Sequence, residues 1–313
     1  MGGHESAIAE QATEVRMMDY VLPYVDGSDP VWREQYWSRY GRAAFDESRY
    51  RSFETLKFAF RGISANMPFI DRIVLIVSTE SQVPEWVNRE NVRIVTHDEF
   101  IPSEYLPTFS SSAIESFLWR LDGLSERFIY GNDDFFALNP LTEDDFWDGD
   151  LPRLTFSESD YHLQNTFRRN CRNGMDMIAD ALGVERTDPW ILLKPQHCMK
   201  GIRVQHMKEV GRLCGDMILP TITPKRHAWN VTGYIYNYFA LYTKSFKPFR
   251  ASFRYERINS ALDVIQGLIE DLDIDILCIN DAGELPADKY DEAVEVMSRS
   301  FEKRLPKAGR YER

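Results

Sequence analysis

Acidic side chains follow three apolar runs, at the points where turn-forming residues end each run. They are Asp26 and Asp29 in the first turn, Asp133 and Asp134 in the second, and Asp281 in the third. Neighbouring carboxylates repel and desolvate each other unless a cation neutralises them. Mg²⁺ prefers one or two carboxylates together with phosphate oxygens, so we expect Mg²⁺ or Mn²⁺ and a metal-bound nucleotide here. The alternative is that each Asp only caps a turn.

A histidine in a polar loop is the candidate proton acceptor. His197 ends the segment Lys194-Pro195-Gln196-His197 and does not lie on an apolar face. An imidazole near its ordinary pKa takes a proton at neutral pH, so His197 is a candidate general base. A structural role is the alternative, and it applies equally to His97 and His206.

The most basic short cluster of this acidic chain is Lys225-Arg226-His227. Arg226 offers the planar fork that binds phosphate through two parallel hydrogen bonds. A solvated surface patch is the alternative interpretation. The tyrosine-rich run 234–242 predicts core packing more than a platform for stacking sugars.

The elements that must position these residues alternate between strand and helix patterns. Apolar, β-branched runs predict strands over 18–25, 72–78, 92–96, 127–130 and 274–279. Helical spacing or capping signals predict helices after Asp29 and Thr142, at 84–87, over 112–121 behind a Ser112–Glu115 capping box, and over 53–63, 166–182, 202–214, 232–242 and 287–301. We therefore expect an α/β fold with a mostly parallel sheet, whose strand ends bring the acidic turns to one edge.

Length and composition indicate one compact unit. The chain has 313 residues, of which 43% are hydrophobic, enough for one large domain. We expect a single domain over 18–313, with an α/β half at 18–150, a mainly helical cover at 151–270 and a closing strand and helix at 271–313. Residues 1–17 lack the apolar centre of a secretory signal, so we expect a mobile tail or a remnant of cloning.

Charge and cysteine content exclude several classes of protein. Forty-nine acidic and thirty-seven basic residues give a net charge of −12, which argues against a nucleic-acid partner. Four separated cysteines without a CxxC pair indicate a reduced, cytoplasmic setting. No window reaches the roughly 20 apolar residues of a membrane-spanning helix.

Several segments resemble the conserved blocks of a known family. Residues 18–29 resemble the first block of the Stealth family of sugar-phosphate transferases, which includes bacterial capsular polysaccharide phosphotransferases and the lysosomal-enzyme N-acetylglucosamine-1-phosphotransferase. The second block is a stronger match and contains Arg61-Gly62-Ile63, Gln82-Val83-Pro84-Glu85-Trp86, Leu106-Pro107-Thr108-Phe109 and Gly131-Asn132-Asp133-Asp134-Phe135-Phe136. Later blocks are resembled by Lys194–His197, by Arg226 with Asn230, and by Cys278–Asp281. Two departures are Gly131, where a larger apolar residue is expected, and Ser110, where Asn is usual.

The resemblance implies a glycosyltransferase A-like core that binds a nucleoside-diphosphate sugar. The catalytic residues it implies are His197, Arg226, Asp134 and Asp281. It implies metal ligation by Asp133, Asp134 and Asp281, and contacts with the nucleotide from Asp26, Asp29 and Asn132.

The leading functional hypothesis is transfer of a hexose-1-phosphate from a nucleoside-diphosphate sugar, expected to be a UDP-sugar, to a sugar hydroxyl with release of UMP. The product would be a phosphodiester-linked capsular polysaccharide or exopolysaccharide, made by a cytoplasmic enzyme at the inner face of the membrane beside a capsule assembly complex. One alternative is a metal-dependent glycosyltransferase that releases UDP. The other is a non-catalytic carbohydrate-binding module of that complex.

Overall fold

The computed structural model describes residues 18–46, 50–186, 188, 190–281 and 285–313. The tail predicted for residues 1–17 lies outside these ranges. The strands are β1 (Met18–Pro23), β2 (Ile70–Val77), β3 (Val92–Thr96), β4 (Arg127–Tyr130), β5 (Phe135–Ala137), β6 (Trp147–Asp148), β7 (Leu151–Leu154), β8 (Phe156–Asp160), β9 (Ile191–Pro195), β10 (Lys200–Arg203), β11 (Lys247–Pro248), β12 (Phe253–Arg257) and β13 (Ile276–Asn280). The α-helices are α1 (Pro30–Tyr40), α2 (Leu56–Asn66), α3 (Ser111–Phe117), α4 (Glu143–Phe146), α5 (Thr166–Leu182), α6 (Val204–Ile218), α7 (Ile235–Tyr242), α8 (Leu262–Glu270) and α9 (Tyr290–Arg304).

The central sheet has the strand order β10-β4-β1-β2-β3. Strands β1 to β4 run parallel, and β10 joins the edge antiparallel to β4. Side chains of β1 alternate between two core clusters, with Val21 in one and Tyr20 and Leu22 in the other. Burial on both faces explains why these strands are apolar throughout. The predicted α/β class with a mostly parallel sheet is confirmed.

The order of strands reverses beside β1. From β1 the chain adds β2 and β3 on one side, and it then returns to place β4 on the other side. The carboxyl ends of β1 and β4 therefore flank a topological switch point, which is where open α/β sheets bind ligands. The turns at 24–29 and 131–134 follow these two strand ends.

Helices from the second half of the chain cover one face of the central sheet. Helices α5, α6 and α7 contribute Cys171, Met207 and Tyr238 to the core cluster that holds Val21. The predicted helical cover is thus confirmed.

A second, smaller sheet has the order β12-β13-β5. Its residue Phe136 packs on Phe301 of α9, with ring centroids 4.3 Å apart. The small sheet and the last helices therefore share one core cluster, which includes Leu277 and Ile265. The boundaries predicted at residues 150 and 270 stay a prediction.

Three local predictions are wrong. Residues 84–87 form a turn and no helix. Glu115 does not form a capping box with Ser112. Its carboxylate instead accepts hydrogen bonds from the Tyr130 hydroxyl and the Gly233 amide, at 2.9 and 2.8 Å. The second half is also richer in strands than predicted, since β8, β9 and β12 lie there.

Within the described ranges, none of the helices is both long enough and apolar enough to cross a bilayer.

Candidate active site

The turn 131–134 carries the chain from the central sheet to the small sheet. Strand β5 begins directly after it and pairs with β13, which places Cys278 opposite Phe135. The Ile279 amide donates a hydrogen bond to the Asp134 carbonyl at 3.1 Å. Strands of both sheets therefore fix the position of Asp134.

Three side chains converge on one carboxylate oxygen, Oδ2 of Asp134. His197 Nε2 lies 3.3 Å away, Asn280 Nδ2 donates at 2.9 Å, and Cys278 Sγ lies at 3.5 Å. Asn280 and Cys278 come from β13, whereas His197 comes from the loop between β9 and β10. We call these four residues the Asp134 cluster. It joins three segments that are distant in the sequence.

Two adjacent carboxylates in this turn have opposite pKa shifts. Burial alone would raise the pKa of Asp134, but the charge and hydrogen bond of His197, with the hydrogen bonds of Asn280 and Cys278, lower it below its ordinary value. Burial and the neighbouring charge of Asp134 raise the pKa of Asp133 to about 7. The turn is thus a site where added positive charge is stabilising.

Both ring nitrogens of His197 have a partner. Nδ1 lies 3.0 Å from the Tyr234 hydroxyl, while Nε2 faces Asp134. The Phe135 ring packs edge-on against the imidazole, with centroids 4.8 Å apart. The ring is therefore held in one orientation by polar and aromatic contacts together.

The turn contains oxygen atoms that suit a hard divalent cation. Oδ1 of Asp134 and Oδ1 of Asn132 are buried, and neither has a hydrogen-bond partner among the described residues. Carboxylate and amide oxygens are the ligands that Mg²⁺ and Mn²⁺ prefer. Cys278 is a poor ligand for such an ion, because burial and the Asp134 charge raise the pKa of its thiol. The oxygen atoms of Asn132 and Asp134 therefore fit the predicted metal, and ligation by Asp133 stays a prediction.

The third acidic turn lies beside the Asp134 cluster. Asp281 directly follows Asn280, and its Oδ2 accepts a hydrogen bond from Arg51 Nε at 2.9 Å. Its predicted role as a metal ligand is not tested by this ion pair and stays a prediction.

The first acidic turn is shaped by its own hydrogen bonds. Asp26 Oδ1 accepts from the amide and the hydroxyl of Ser28, at 2.8 and 2.6 Å. Asp29 is buried and caps α1 by accepting from the Trp32 amide at 2.6 Å. The capping prediction for Asp29 is confirmed, and contacts of Asp26 and Asp29 with a nucleotide stay predictions.

Arg226 lies on the surface in the loop between α6 and α7. It donates a hydrogen bond from Nη2 to the Ser111 hydroxyl at 2.6 Å. No hydrogen bond or ion pair joins it to Asp134 or His197 within the described chain. Its predicted contact with phosphate therefore depends on a bound substrate and stays a prediction.

An open cleft of about 980 Å³ lies at the carboxyl ends of β1 and β2. Its walls include Tyr24, Asp26, Arg33, Arg51, Lys57 and Trp86. Arg51 of this cleft forms an ion pair with Asp281. Asp281 directly follows Asn280, which belongs to the Asp134 cluster. The cleft combines aromatic faces with basic groups, which suits a ligand that has a planar base and negative charge.

The structure explains why Gly131 departs from the family pattern. A Cβ atom at this position would lie only 1.9 Å from the hydroxyl of Tyr20. The Tyr20 side chain on β1 therefore occupies the space that a larger residue would need.

Sequence reasoning missed three polar residues at the site, namely Lys200, Tyr234 and Asn280. Lys200 had a detectable signal, because it is a single lysine within the otherwise apolar run 198–202. Tyr234 had none, because nothing local distinguishes it from the other tyrosines of its run.

Comparisons with known proteins show what this chain is similar to. A family model described as Stealth protein CR2, conserved region 2, matches residues 49–153, which include the whole second block. The chain is 41% identical over 146 residues to the capsular polysaccharide phosphotransferase WcwK of Streptococcus pneumoniae, covering 45% of this chain and 44% of that protein. It is 30% identical over 323 residues to an exopolysaccharide phosphotransferase of Nocardia farcinica, covering 97% of this chain and 63% of that protein. The chain thus spans roughly half the length of these relatives.

Among solved structures, the galactosyltransferase LgtC, in complex with donor and acceptor sugar analogues, is similar over 89% of this chain and 95% of that chain. The sequence identity is 11% and the TM-score is 0.42.

The family model covers the acidic turn 131–134, and the Nocardia relative covers nearly the whole chain. Residues 49–153 thus match conserved region 2 of the Stealth family, and the chain as a whole is similar to an exopolysaccharide phosphotransferase.

Proposed function

We propose that the protein transfers a hexose-1-phosphate from a nucleoside-diphosphate sugar, specifically a UDP-sugar, to a hydroxyl group of a saccharide acceptor. The printed names of the relatives, capsular polysaccharide and exopolysaccharide phosphotransferases, support this reaction class. The proposed product is a phosphodiester-linked capsular polysaccharide or exopolysaccharide. A product of this kind favours synthesis on the cytoplasmic side of the membrane, close to the export apparatus.

The proposed reaction exchanges one phosphorus–oxygen bond for another. The acceptor oxygen bonds to the β-phosphorus of the donor while the bond from that phosphorus to the bridging oxygen breaks. UMP leaves, the hydroxyl proton passes to a base, and the anomeric bond of the transferred sugar stays intact. Such a reaction depends mainly on positioning and on neutralising charge.

The residues of the chain have separate proposed roles. Asn132, Asp133 and Asp134 would hold Mg²⁺ or Mn²⁺, which supplies positive charge at the diphosphate when bound. His197 accepts the hydroxyl proton, and Arg226 contacts the phosphoryl oxygens with its guanidinium fork. Asp281 orients Arg51 at the edge of the cleft. Asp26 lines the wall nearest the nucleotide, and Asp29 fixes the start of α1 beside that turn.

One observation carries the proposal. Asp134, His197 and Asn280 come from distant segments, yet they meet within hydrogen-bond distance at the carboxyl end of β4. This place is the switch point of the sheet, beside a cleft large enough for a nucleotide. A solvated surface or a simple turn cap does not require that convergence.

A donor screen tests the proposal. The purified protein is incubated with UDP-sugars, Mg²⁺ or Mn²⁺ and saccharide acceptors, and the released nucleotide is identified by chromatography. We expect UMP. Release of UDP without UMP would instead make the protein a glycosyltransferase, and saccharide binding without any nucleotide turnover would favour a carbohydrate-binding module.

The variant Asp134→Asn supplies the matching loss-of-function test. It keeps the size of the side chain but removes the charge, so we expect turnover to fall by about 10²-fold or more. Circular dichroism and the unfolding midpoint should stay close to those of the wild type. Unchanged turnover would reduce Asp134 to a role in packing.

A further inference from the structure

Lys200 is a buried lysine on the strand that pairs with β4, directly before the acidic turn 131–134. It is the first residue of β10 and pairs with Tyr130, the last residue of β4 before the acidic turn. Only 6% of its surface is exposed. Its Nζ lies 4.0 Å from the centre of the Tyr234 ring and 4.7 Å from the centre of the Tyr130 ring. The ammonium is therefore enclosed by the faces of two tyrosines.

The ammonium of Lys200 has no hydrogen-bond acceptor or ion-pair partner among the described residues. The nearest candidate, Glu115, already accepts from the Tyr130 hydroxyl and the Gly233 amide. A lysine ammonium carries three N–H donors. Contacts with aromatic faces replace only part of the hydration that a buried ammonium loses. Three donors are thus left for a group that the described residues do not provide.

The surroundings of Lys200 act on its charge in opposite directions. Burial lowers the pKa of its ammonium to about 8, while the negative charge of Glu115 opposes this shift. An anion placed on the ammonium would stabilise the charged form in the same way.

One side chain, Tyr234, contacts both Lys200 and His197. The face of Tyr234 contacts the ammonium, and the hydroxyl of the same residue is hydrogen-bonded to His197 Nδ1. Tyr130 leads along the chain directly into the turn 131–134. Lys200 therefore lies on the β10 side of the switch point, whereas Arg51 lies on the cleft side.

We propose that the ammonium of Lys200 binds a phosphate oxygen of the nucleotide-sugar donor. This inference rests on the proposed function and adds a basic residue to it. A cation held by the acidic turn would neutralise the diphosphate from one side, and Lys200 neutralises it from the other. The departing monophosphate gains negative charge during transfer, and a fixed ammonium stabilises that charge.

Calorimetric titration of the full chain with UDP and with uridine, both with Mn²⁺, tests the proposal. Lys200→Met keeps the length of the side chain but removes the charge, so the Kd for UDP should rise about tenfold or more, while the Kd for uridine stays within about twofold. The control Lys208→Met removes an equal charge from α6, where Lys208 forms an exposed ion pair with Asp122. This control should leave both constants unchanged.

Each other outcome overturns something specific. Unchanged affinity of Lys200→Met for UDP overturns the inference alone. Equal losses for UDP and uridine show that Lys200 only supports the fold, and they overturn it as well. If the wild type binds no nucleotide, the proposed function fails together with the inference.

A crystal structure of the wild type with UDP and Mn²⁺ covers the case in which Lys200→Met does not fold. We expect Nζ within about 3.2 Å of a phosphate oxygen. A complex in which Nζ contacts only the two tyrosine rings overturns the inference.

Discussion

His197 has a polar partner at each ring nitrogen, with the Tyr234 hydroxyl at Nδ1 and Asp134 at Nε2. Tyr234 is buried, so under the proposed function we expect an acceptor hydroxyl to approach the imidazole from the side of Asp134. The contact between Nε2 and Asp134 is 3.3 Å long, which is beyond the usual range for a strong hydrogen bond. Nε2 is thus the nitrogen that can exchange Asp134 for a substrate hydroxyl.

His197→Ala tests the assignment of the general base. Removal of a general base typically lowers turnover by about 10²- to 10⁴-fold, and we expect kcat for UMP release to fall within that range while the Kd for UDP changes little. The control His162→Ala removes an exposed histidine that packs on Trp190. Nearly normal turnover by His197→Ala would transfer the role to an aspartate.

Arg226→Lys tests the guanidinium fork. Lysine keeps the charge but loses the paired hydrogen bonds, so we expect kcat/KM to fall by about tenfold or more. The control Arg212→Lys alters an arginine of α6 that is 66% exposed and paired with Glu209, and steady-state kinetics should not detect that change. Equal kinetics for both variants would limit Arg226 to its contact with Ser111.

Among individual residues, the sequence allowed prediction of those whose type and immediate neighbours indicate a chemical role. The adjacent carboxylates Asp133 and Asp134 and the loop histidine His197 are such residues, and the structure brings two of them together. Lys200 and Tyr234 were missed because their importance comes from contacts between distant segments. No local spacing encodes those contacts.

Elements with strong apolar periodicity or a clear cap were predictable. The five strands of the sequence prediction all exist, and α1 begins with Asp29 as its cap and Pro30 at its first position. The box at Thr142 and Asp145 is also confirmed. Strands β8 and β12 were missed, because half-exposed strands such as Phe156–Asp160 contain too many polar residues to resemble a buried run.

The wrong capping box of α3 leads to a prediction about stability. Glu115 connects α3 to Tyr130 on β4 and to the amide before α7, so Glu115→Ala should lower the free energy of unfolding by about 2–3 kcal/mol. Ser112 makes no capping bond, so Ser112→Ala should change it by less than about 0.5 kcal/mol. Urea unfolding measures both, and a loss of about 1 kcal/mol in Ser112→Ala would restore the capping box.

For the whole molecule, the order of strands and helices was enough to predict the α/β class. Alternating strand and helix patterns predict parallel neighbouring strands, because each helical crossover returns the chain to the end of the sheet where the previous strand began. The small sheet was not predictable, since β5 is separated by more than a hundred residues from its partner β13. Strand β5 also has only three residues, which are too few to show a periodic pattern.

Global stability should depend on pH through buried histidines. Burial lowers the pKa of His97 to about 4, and burial also lowers that of His206 to about 4. At each of these histidines the folded state therefore binds fewer protons than the unfolded state between about pH 6.5 and pH 4, and their contribution to stability is lost as the pH falls through that range. For His97 the expected loss from pH 7 to pH 5 is about 2 kcal/mol.

Urea unfolding of the wild type and of His97→Leu at pH 7 and pH 5 measures this effect. The difference in unfolding free energy between the two pH values should be smaller in the variant. An identical difference in both proteins would assign the acid sensitivity to other groups.

The turn 131–134 is anchored in the central sheet at one end and in the small sheet at the other. The two sheets share one core cluster, which holds Leu22 and Ile129 of the central sheet with Phe135 and Ile276 of the small sheet. The small sheet also rests on α9 through Phe136 and Phe301. A change in the angle between the two sheets would therefore move the Asp134 carboxylate. A substitution such as Phe301→Leu, near the carboxyl end of α9, would loosen that support and change the position of the Asp134 carboxylate without contacting it.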